Sequence, residues 1–554
     1  MLQYPKNELA QVVIASCIAQ KINNVVISPG SRNAPLTIGF SNHSEITAYS
    51  VVDERCAAFF ALGMAQQTQN PVAIVCTSGS ALLNYYPAIA EAYYSKIPLI
   101  VISADRPEHL IEIGDGQTIN QKGVFKNHIL DALNLVENEE VEHSISQIKK
   151  LIKKAIIEKG PVHLNIPFDE PLYELTDTIL QIEPEISNNE EIPLEVSELE
   201  VYADIWNDSK KKIVLVGEHF PDELLQIQLE HLTKDPSVLV LVENTANVSH
   251  EKFINSIDKL IFPLDDEELT KFQPDILLTL GGLIVSKKIK QHLRAFKPTH
   301  HWHVDSTRAF NTFHSLSHHF KISAGLFFSQ FFFLTKPKNS SFQEYWLHKK
   351  EFRLKKHDAF ITECEFSDLK VFSSLLGSIP DNYQLQLGNS SIIRYSQLFD
   401  IKESLRVFCN RGTSGIDGST STAIGAAVLV KEPTLFITGD ISFFYDSNAL
   451  WNNYIPTNFR IVLVNNNGGG IFRFIPGPQK TNALDLFETP HNLSAEHLCK
   501  MFNIQYHCAT NESELTSTIS NFYNESKQPK LLEIVTPRTE NDNILKAYFN
   551  NLKM

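Results

Sequence analysis

The stretch from 438 to 472 reads TGDISFFYDSNALWNNYIPTNFRIVLVNNNGGGIF and decides the fold class of this chain. The apolar run TLFIT predicts a buried strand that ends at Gly439 and Asp440, and FRIVLV predicts a second strand that ends in an asparagine run. A polar and apolar helical stretch separates the two, so the segment predicts a parallel strand–helix–strand unit. The carboxyl ends of both strands then meet at one edge of a sheet, where open α/β sheets bind ligands.

Hard oxygen ligands follow both predicted strands. Asp440 offers a carboxylate, the run 465–467 offers amide oxygens, and Gly468 offers a backbone carbonyl. Such groups suit an octahedral Mg²⁺ whose remaining positions are taken by phosphate oxygens. Spacing favours Asn466 as the amide ligand, and Asn467 is the alternative. The pattern resembles the metal–diphosphate motif of thiamine diphosphate enzymes, although Gly-Asp and Asn-Gly also occur at ordinary turns.

The N-terminal part of the chain has the same kind of pattern. The runs VVIS, AIVCTS and LIVISA predict strands, each followed by a small-residue loop and a helix. The short run AYSVV leads into a helix that begins near Glu54 and is apolar nearly all round from Cys56 to Ala65, so we expect that helix to be buried. An acid at a helix start commonly interacts only with the helix dipole. The resemblance to thiamine enzymes instead implies that Glu54 hydrogen-bonds the aminopyrimidine and favours the imino tautomer that removes the C2 proton.

Segments spread over nearly the whole chain carry a narrower resemblance. They are SPGSRNAPL (28–36), DERCAAFFALG (53–63), TSGSALLNYYPAIAEA (77–92), SADRP (103–107), LGNSSIIR (387–394), NRGTSGIDGSTSTAIGAA (410–427) and the 438–472 unit. In order and spacing the chain resembles the 2-succinyl-5-enolpyruvyl-6-hydroxy-3-cyclohexene-1-carboxylate synthases, a thiamine diphosphate-dependent family of menaquinone biosynthesis. NRGTSGIDG and SPGSR are far more specific than a generic thiamine signature.

The resemblance implies an α/β fold of three doubly wound parallel-sheet domains. A chain of 554 residues is indeed too long for one core. We expect a pyrimidine-binding domain over 1–180, a central domain over 201–340 and a diphosphate- and metal-binding domain over 366–554. The acidic stretch 181–200 predicts a linker, and the basic and aromatic stretch 341–365 predicts a helical connector. The first and third domains are expected to share one layout, with the cofactor between them.

The reaction that the resemblance implies is a decarboxylation followed by a carbon–carbon addition. 2-Oxoglutarate loses CO₂, and its succinyl-semialdehyde unit adds to isochorismate. The implied cofactors are thiamine diphosphate and Mg²⁺ or Mn²⁺, with Asp440, Asn466 and Gly468 as metal ligands. The implied assembly is a homodimer or homotetramer with active sites at the subunit interface, so that Glu54 acts on cofactor held by the neighbouring chain.

Both substrates carry two carboxylates, which favours arginine because its planar guanidinium binds a carboxylate in a bidentate manner. The family-like segments place arginines at or after predicted strand ends, at Arg32, Arg106, Arg394 and Arg411. A single arginine is more often a solvated surface residue. The resemblance adds further substrate contacts at Gln117, Lys287 and Ser390. It also implies that catalysis involves Glu54, Arg32, Gln117, Arg394 and Arg411.

The resemblance assigns the remaining cofactor contacts to loop residues of the third domain. They are Ile416, Gly439, Ile441, Ile471 and Phe472. Ile416 would be the apolar wedge beneath the cofactor, and an ordinary core isoleucine is the alternative. The chain departs from the family at Lys287-Lys288, where a Lys-Arg pair is usual, and it reads Gly-Asp-Ile in place of the frequent Gly-Asp-Gly.

Composition and sequence pattern argue against nucleic-acid and membrane partners and favour a cytoplasmic location. Against 64 acidic residues the chain has 49 Lys and Arg, and the net charge of −15 argues against nucleic acid. Seven cysteines are scattered without a CxxC pair, which predicts reduced thiols in a cytoplasmic protein. The N-terminus shows no secretory signal, and the longest strongly apolar stretch, 325–334, is too short to span a bilayer, so no membrane partner is expected.

Some features of the sequence allow other interpretations. The histidines of the HWHVD region suggest a transition-metal site, but no cysteine or well-spaced carboxylate completes a ligand set, so strand packing is expected.

Another thiamine-dependent 2-oxoacid decarboxylase or carboligase, such as an acetohydroxyacid synthase, is an alternative function, but a pyruvate-type substrate does not need four arginines. A non-catalytic cofactor-binding regulator is the third. Retention of Glu54, Asp440 and Asn466 argues against it.

Overall fold

Three parallel sheets follow one another along the chain in a computed structural model that describes residues 3–184, 191–475 and 477–553. Helices flank each sheet, which confirms the predicted α/β class. Residues 185–190 of the predicted linker lie outside the described residues. Within those described, no helix combines the length and the apolar character needed to cross a membrane.

The first sheet has the order β3-β2-β4-β5-β7-β6 and is parallel throughout, and β1 pairs with β8 in a separate antiparallel ribbon. The strands, numbered in chain order, are β1 (Tyr4–Pro5), β2 (Asn24–Ile27), β3 (Thr47–Ser50), β4 (Val72–Cys76), β5 (Leu99–Asp105), β6 (Asp131–Asn134), β7 (Val162–Pro167) and β8 (Leu175–Thr176). The helices are α1 (Glu8–Ala19), α2 (Ala34–Asn42), α3 (Glu54–Thr68), α4 (Ser80–Asn84), α5 (Tyr86–Ser95) and α6 (Val141–Glu158).

The central sheet has the order β10-β9-β11-β12-β13, again parallel. Its strands are β9 (Lys212–Val216), β10 (Val238–Val242), β11 (Ile276–Leu280), β12 (His300–Val304) and β13 (Leu316–Phe320). Its helices are α7 (Val196–Asp208), α8 (Glu223–Leu232), α9 (Ile257–Ile261), α10 (Asp266–Phe272), α11 (Lys287–Ala295) and α12 (Ala324–Phe331). Helix α13 (Phe342–Glu363) follows within the stretch 341–365.

Helix α7 begins inside the stretch predicted as linker. Its Leu199, Ala203 and Trp206 recur at helical spacing and are buried in the core of the central sheet. Burial of that apolar face stabilises a helix in a segment whose acidic composition alone indicated a linker.

The third sheet has the order β15-β14-β16-β17-β19-β18 and is parallel. Its strands are β14 (Gln384–Leu387), β15 (Arg406–Cys409), β16 (Thr434–Gly439), β17 (Arg460–Asn465), β18 (Gln505–Ala509) and β19 (Lys530–Val535). Its helices are α14 (Asp368–Ser378), α15 (Ser391–Ser396), α16 (Ser419–Leu429), α17 (Asp440–Tyr445), α18 (Ile471–Phe474), α19 (Ala483–Glu488), α20 (Glu496–Met501), α21 (Glu512–Phe522) and α22 (Asn541–Asn551). When the strands of each sheet are numbered from the first strand of that sheet, the third sheet has the same strand order as the first. This confirms the predicted shared layout.

The first and third sheets are joined through α3 and α16. Helix α3 is buried from Cys56 to Gln66, as its apolar sequence predicted. A Cβ at Gly63 would lie 2.0 Å from the Thr422 carbonyl oxygen, and one at Gly425 would lie 1.9 Å from the Phe60 carbonyl oxygen. The two helix backbones are therefore so close that glycine is needed at both positions. A larger side chain at Gly63 or Gly425 would force the helices apart.

The histidine-rich strand β12 is part of the central core. The rings of His301 and His303 lie 3.0 and 2.9 Å from the Thr279 hydroxyl, and burial lowers the pKa of both histidines to about 4. Both side chains are thus packed within the sheet in their neutral form. No group of three or more metal-type ligands occurs in the part of the chain that the structure describes.

Acid should destabilise the first domain through His163 on β7. This side chain is fully buried, hydrogen-bonds the Ser103 hydroxyl at 2.7 Å, and has a pKa lowered from 6.5 to about 4 by burial. Because the unfolded chain binds the proton more tightly, the stability that the neutral ring contributes is complete above pH 6.5 and is lost as pH falls towards 4. From pH 8 to pH 5 the loss is about 2 kcal/mol, or about 4–8 °C in unfolding temperature.

The measurement is calorimetry of wild type and His163→Gln at both pH values. Glutamine keeps a hydrogen-bonding group near Ser103 but does not titrate, so the variant should lose less on acidification than wild type does. Equal losses would show that His163 does not contribute to acid sensitivity.

Candidate active site

The edge formed by the carboxyl ends of β16 and β17 holds the predicted metal ligands together. Asp440 is the first residue of α17 and is buried, with 3% of its surface exposed. Its Oδ2 accepts a hydrogen bond from the Gly468 backbone N–H at 2.9 Å, and its Oδ1 accepts one from Ile441 at 2.7 Å. His491 Nε2 lies 3.3 Å from the same Oδ2. The carboxylate is therefore held against the loop that follows β17.

The first two of the three consecutive asparagines differ in the hydrogen bonds of their side-chain amides. Asn465 donates to Glu533 at 2.6 Å, and its Oδ1 accepts the Asn467 backbone N–H, so its side chain supports the loop. Asn466 donates its Nδ2 to Asp368 Oδ2 at 3.0 Å, while its Oδ1 is buried without a hydrogen-bond partner among the described residues. A buried amide oxygen without a hydrogen-bond partner destabilises the folded protein unless a ligand binds to that oxygen. The geometry therefore fits a hard cation at Asn466 better than at Asn465.

Gly468 adopts a backbone conformation with φ of 151°, which side chains rarely adopt. A Cβ there would also lie 2.8 Å from the Glu488 carbonyl oxygen. The Gly468 carbonyl accepts the Gly470 N–H at 2.9 Å and retains a second lone pair. A carboxylate, an amide oxygen and a carbonyl thus form a donor set that fits Mg²⁺ or Mn²⁺.

The remaining predicted cofactor contacts surround this edge. Gly439 ends β16, and Ile441 follows Asp440 in α17. The Ile416 carbonyl accepts the Ser442 hydroxyl at 2.7 Å, which ties the SGIDG turn to the start of α17. Ile471 and Phe472 are half-buried in α18.

Glu54 lies on the first domain, at the first position of α3. It is half-buried, and its Oε2 accepts a hydrogen bond from Asn84 at 3.3 Å. Its neighbours fix the helix start: Asp53 accepts the Cys56 N–H at 3.1 Å, and Arg55 donates to the Tyr445 carbonyl at 3.0 Å. The residues on both sides of Glu54 are thus held in place by hydrogen bonds. Within the part of the chain that the structure describes, the Glu54 carboxylate accepts one hydrogen bond, from a neutral amide.

A cationic cluster lies beyond β14 and β15. Arg411 is buried and donates from Nη1 to Asn389 Oδ1 at 2.6 Å, and Arg394 donates from Nη1 to the Ser390 carbonyl at 2.5 Å. Burial, and then the nearby Arg411, lower the pKa of Arg394. Ser390 directly precedes α15 and has a φ of 68°, a left-handed conformation that is uncommon for serine. Two guanidinium groups this close favour an anionic ligand.

Two residues near this cluster were missed by the sequence analysis. Glu91 on α5 is buried, and it accepts the backbone N–H groups of Gly412 and Thr413, both at 2.6 Å. It therefore holds the loop that follows Arg411 against the first domain. Glu91 lies in the family-like segment 77–92, which was the available signal.

The second missed residue is Lys290 on α11. Burial and then the charge of Arg411 lower its pKa, and its Nζ donates to the Ile284 carbonyl at 2.9 Å. Lys287, the predicted cation of this helix, is exposed, and Lys288 Nζ lies 4.5 Å from the centre of the Phe262 ring. Lys290 is thus a more buried cation beside Arg411 than the predicted Lys287.

Arg32 and Arg106 lie on the corresponding edge of the first sheet. Arg32 is buried and donates to the Phe168 carbonyl at 2.9 Å. Arg106 donates to the Gly116 carbonyl at 3.3 Å, and Gln117 beside it is exposed with a φ of 57°. Among the described residues, no hydrogen bond or ion pair joins these groups, or Glu54, directly to Asp440, Asn466 or Gly468.

Comparison with protein-family models finds thiamine enzyme domains along the chain. Residues 7–134 match the thiamine pyrophosphate enzyme N-terminal TPP binding domain, and residues 387–534 match the C-terminal TPP binding domain. Residues 199–387 match the middle domain of thiamine pyrophosphate enzymes. The three matches follow the three sheets in order, and thiamine pyrophosphate is another name for thiamine diphosphate.

Relatives of similar length match this chain from end to end. A Flavobacterium johnsoniae protein is 53% identical over 99% of this chain and 100% of its own length. A Flavobacterium psychrophilum protein is 52% identical over the same shares. A Cytophaga hutchinsonii protein is 38% identical over 95% of this chain and 96% of its own. Each relative is named 2-succinyl-5-enolpyruvyl-6-hydroxy-3-cyclohexene-1-carboxylate synthase.

Proposed function

Because this chain belongs to the family of 2-succinyl-5-enolpyruvyl-6-hydroxy-3-cyclohexene-1-carboxylate synthases, we propose that it catalyses the reaction of that family in menaquinone biosynthesis. 2-Oxoglutarate loses CO₂, and the remaining succinyl-semialdehyde unit is transferred to isochorismate by conjugate addition. The observation that carries the proposal is the 53% identity over the full length of a relative with this name.

The third domain supplies the metal and diphosphate site. Asp440, Asn466 and the Gly468 carbonyl would hold Mg²⁺ or Mn²⁺, and the unpartnered Asn466 Oδ1 supports this assignment. When bound, thiamine diphosphate would supply the nucleophilic carbon and the electron sink that decarboxylation of 2-oxoglutarate needs. The residues of the chain bind and orient the reactants and move protons.

Glu54 is the residue proposed to act on the pyrimidine ring. Its ionised carboxylate would accept a hydrogen bond from a ring N–H and so favour the imino tautomer. Both the burial and the contacts of Glu54 support this role. The side chain is half-buried, and its carboxylate accepts one hydrogen bond from within the described residues, from Asn84, so it can accept another from a ligand.

The cationic residues are proposed to hold the substrate carboxylates. Arg394 and Arg411 supply guanidinium donors on the third domain, and Ser390 lies beside them. Arg32, Arg106 and Gln117 would act from the first domain, and Lys287 from the central domain. Anionic substrates need such local cations because the net charge of −15 repels them at long range.

The assembly proposed is a homodimer or homotetramer whose active sites combine Glu54 of one subunit with Asp440 of another. The proposed location is the cytoplasm, which scattered unpaired cysteines favour. The ranges 1–180, 201–340 and 366–554 remain the proposed domains, and no nucleic acid or membrane partner is proposed.

The test is the loss of isochorismate absorbance with purified protein, thiamine diphosphate, Mg²⁺ and 2-oxoglutarate, with each component omitted in turn. Loss that requires all components supports the acceptor, donor and cofactor together. Release of CO₂ from an oxoacid with isochorismate untouched would indicate a different thiamine-dependent decarboxylase. Cofactor binding without turnover of any oxoacid would favour the non-catalytic regulator.

Arg394→Ala should weaken substrate use far more than cofactor binding. Loss of a charge-assisted hydrogen bond to a carboxylate costs about 1.5–3 kcal/mol, so kcat/KM should fall by about 10–100-fold. Arg406→Ala is the matched control, because Arg406 is an exposed arginine of the same domain at the amino end of β15. Steady-state kinetics and calorimetric titration of thiamine diphosphate are the measurements. Equal losses of substrate use and cofactor affinity would contradict the role given to Arg394.

A further inference from the structure

We infer that Asp368 is a positioning residue of the metal site, an inference that rests on the proposed metal-binding function of Asn466. Asp368 is the first residue of α14 and is buried, with 2% of its surface exposed. Its Oδ2 accepts the Asn466 amide N–H at 3.0 Å, and its Oδ1 accepts the Thr536 hydroxyl at 2.6 Å. Both carboxylate oxygens are thus committed within the protein.

The chemistry of this contact sets which way the Asn466 amide faces. A side-chain amide has a donor end and an acceptor end, whereas an ionised carboxylate can only accept. Asp368 therefore bonds the Nδ2 end, and the opposite end, Oδ1, is turned away from it. That oxygen is the buried atom without a partner among the described residues. Asp368 in this way selects the rotamer in which Asn466 offers an oxygen to a cation.

Further contacts fix the position of Asp368 itself. Its backbone N–H donates to Asn541 Oδ1 at 2.8 Å, and Asn541 Nδ2 donates to the Pro537 carbonyl at 2.7 Å. The start of α22 thereby holds the start of α14. Partners of this kind behind a metal ligand orient it, and their loss typically weakens metal binding by about 10–100-fold.

A purely structural role is the competing explanation, and Asp368→Asn separates the two. Asparagine keeps the shape but can also donate, so Asn466 can bond it through either end and its oxygen is no longer held towards the cation. Glu533→Gln is the matched control, because Glu533 is a buried acid of the same sheet that binds the neighbouring Asn465 at 2.6 Å. Both variants remove one buried charge behind the same asparagine run.

The experiment measures Mn²⁺ affinity in the presence of thiamine diphosphate, by the spin resonance signal of free Mn²⁺, on full-length protein checked for folding by circular dichroism. Asp368→Asn should weaken Mn²⁺ binding by at least 10-fold, and Glu533→Gln should stay within threefold of wild type. Affinity within threefold of wild type for Asp368→Asn would overturn the inference. So would equal losses in the two variants, which would show that any buried acid behind the loop has this effect.

Two further variants keep the test decisive. If Asp368→Asn does not fold, Thr536→Val removes the hydroxyl that holds Asp368 from behind and should weaken Mn²⁺ binding at least threefold; unchanged affinity would count against Asp368. Asp440→Asn distinguishes an error in the proposed metal site from an error in the role given to Asp368. If it also retains wild-type Mn²⁺ affinity, the proposed metal site itself is wrong, whereas loss in Asp440→Asn alone rejects only the role of Asp368.

Discussion

Glu54→Gln is expected to lower turnover by about 10²–10⁴-fold while thiamine diphosphate still binds within a few-fold of wild-type affinity. Glutamine preserves the size of the side chain and its hydrogen bond with Asn84, but it removes the negative charge. A neutral amide favours the imino tautomer of the pyrimidine much less than a carboxylate does. Proton removal from the cofactor should therefore fail while the diphosphate remains anchored on the third domain.

Glu8→Gln is the matched control for this prediction. Glu8 also occupies the first turn of a helix in the first domain, and it is exposed. The measurements are isochorismate consumption and calorimetric titration of thiamine diphosphate for both variants. Turnover of Glu54→Gln within a few-fold of wild type would remove Glu54 from the mechanism and leave it as a helix-start acid.

The sequence predicted the class of fold because its signals are local. Apolar runs such as FRIVLV are buried on both faces, which is typical of a strand in a covered parallel sheet. The ends of those runs also located the strand-to-helix junctions at Asp440 and Glu54. The order of strands within each sheet was not predictable in this way, because it depends on packing between segments that are distant along the chain.

The supporting residues of the site were not predicted for the same reason. Asp368 and Asn466 are 98 positions apart, and Glu91 and Gly412 are 321 apart, so neither contact has a local pattern. The start of α14 reads as an ordinary helix start, with Ser367 as its N-cap. Likewise, three consecutive asparagines are equivalent in sequence. Only the hydrogen-bond partners of the side-chain amides distinguish Asn465 from Asn466.

Asp440→Asn should abolish metal-dependent cofactor binding. Loss of a direct carboxylate ligand should exceed the roughly 10–100-fold effect typical of an outer-shell partner. Asp381→Asn is the control, because Asp381 is exposed and precedes β14, at the opposite end of the third sheet. Calorimetric titration of thiamine diphosphate with and without Mg²⁺ is the measurement. Unchanged affinity would exclude Asp440 as a ligand.

The same substitution should not destabilise the metal-free protein. Burial raises the pKa of Asp368 to about 6, and the charge of Asp440 adds to that rise by repulsion of the ionised Asp368 carboxylate. Removing the Asp440 charge relieves this repulsion. The unfolding temperature of metal-free Asp440→Asn should therefore equal or exceed that of wild type. Wild type should gain about 2.7 kcal/mol when metal and cofactor are present at 100 times their dissociation constant, whereas the variant should gain little. A lower unfolding temperature for the metal-free variant would instead make Asp440 a stabilising residue of the loop, held by its bonds to Ile441 and Gly468.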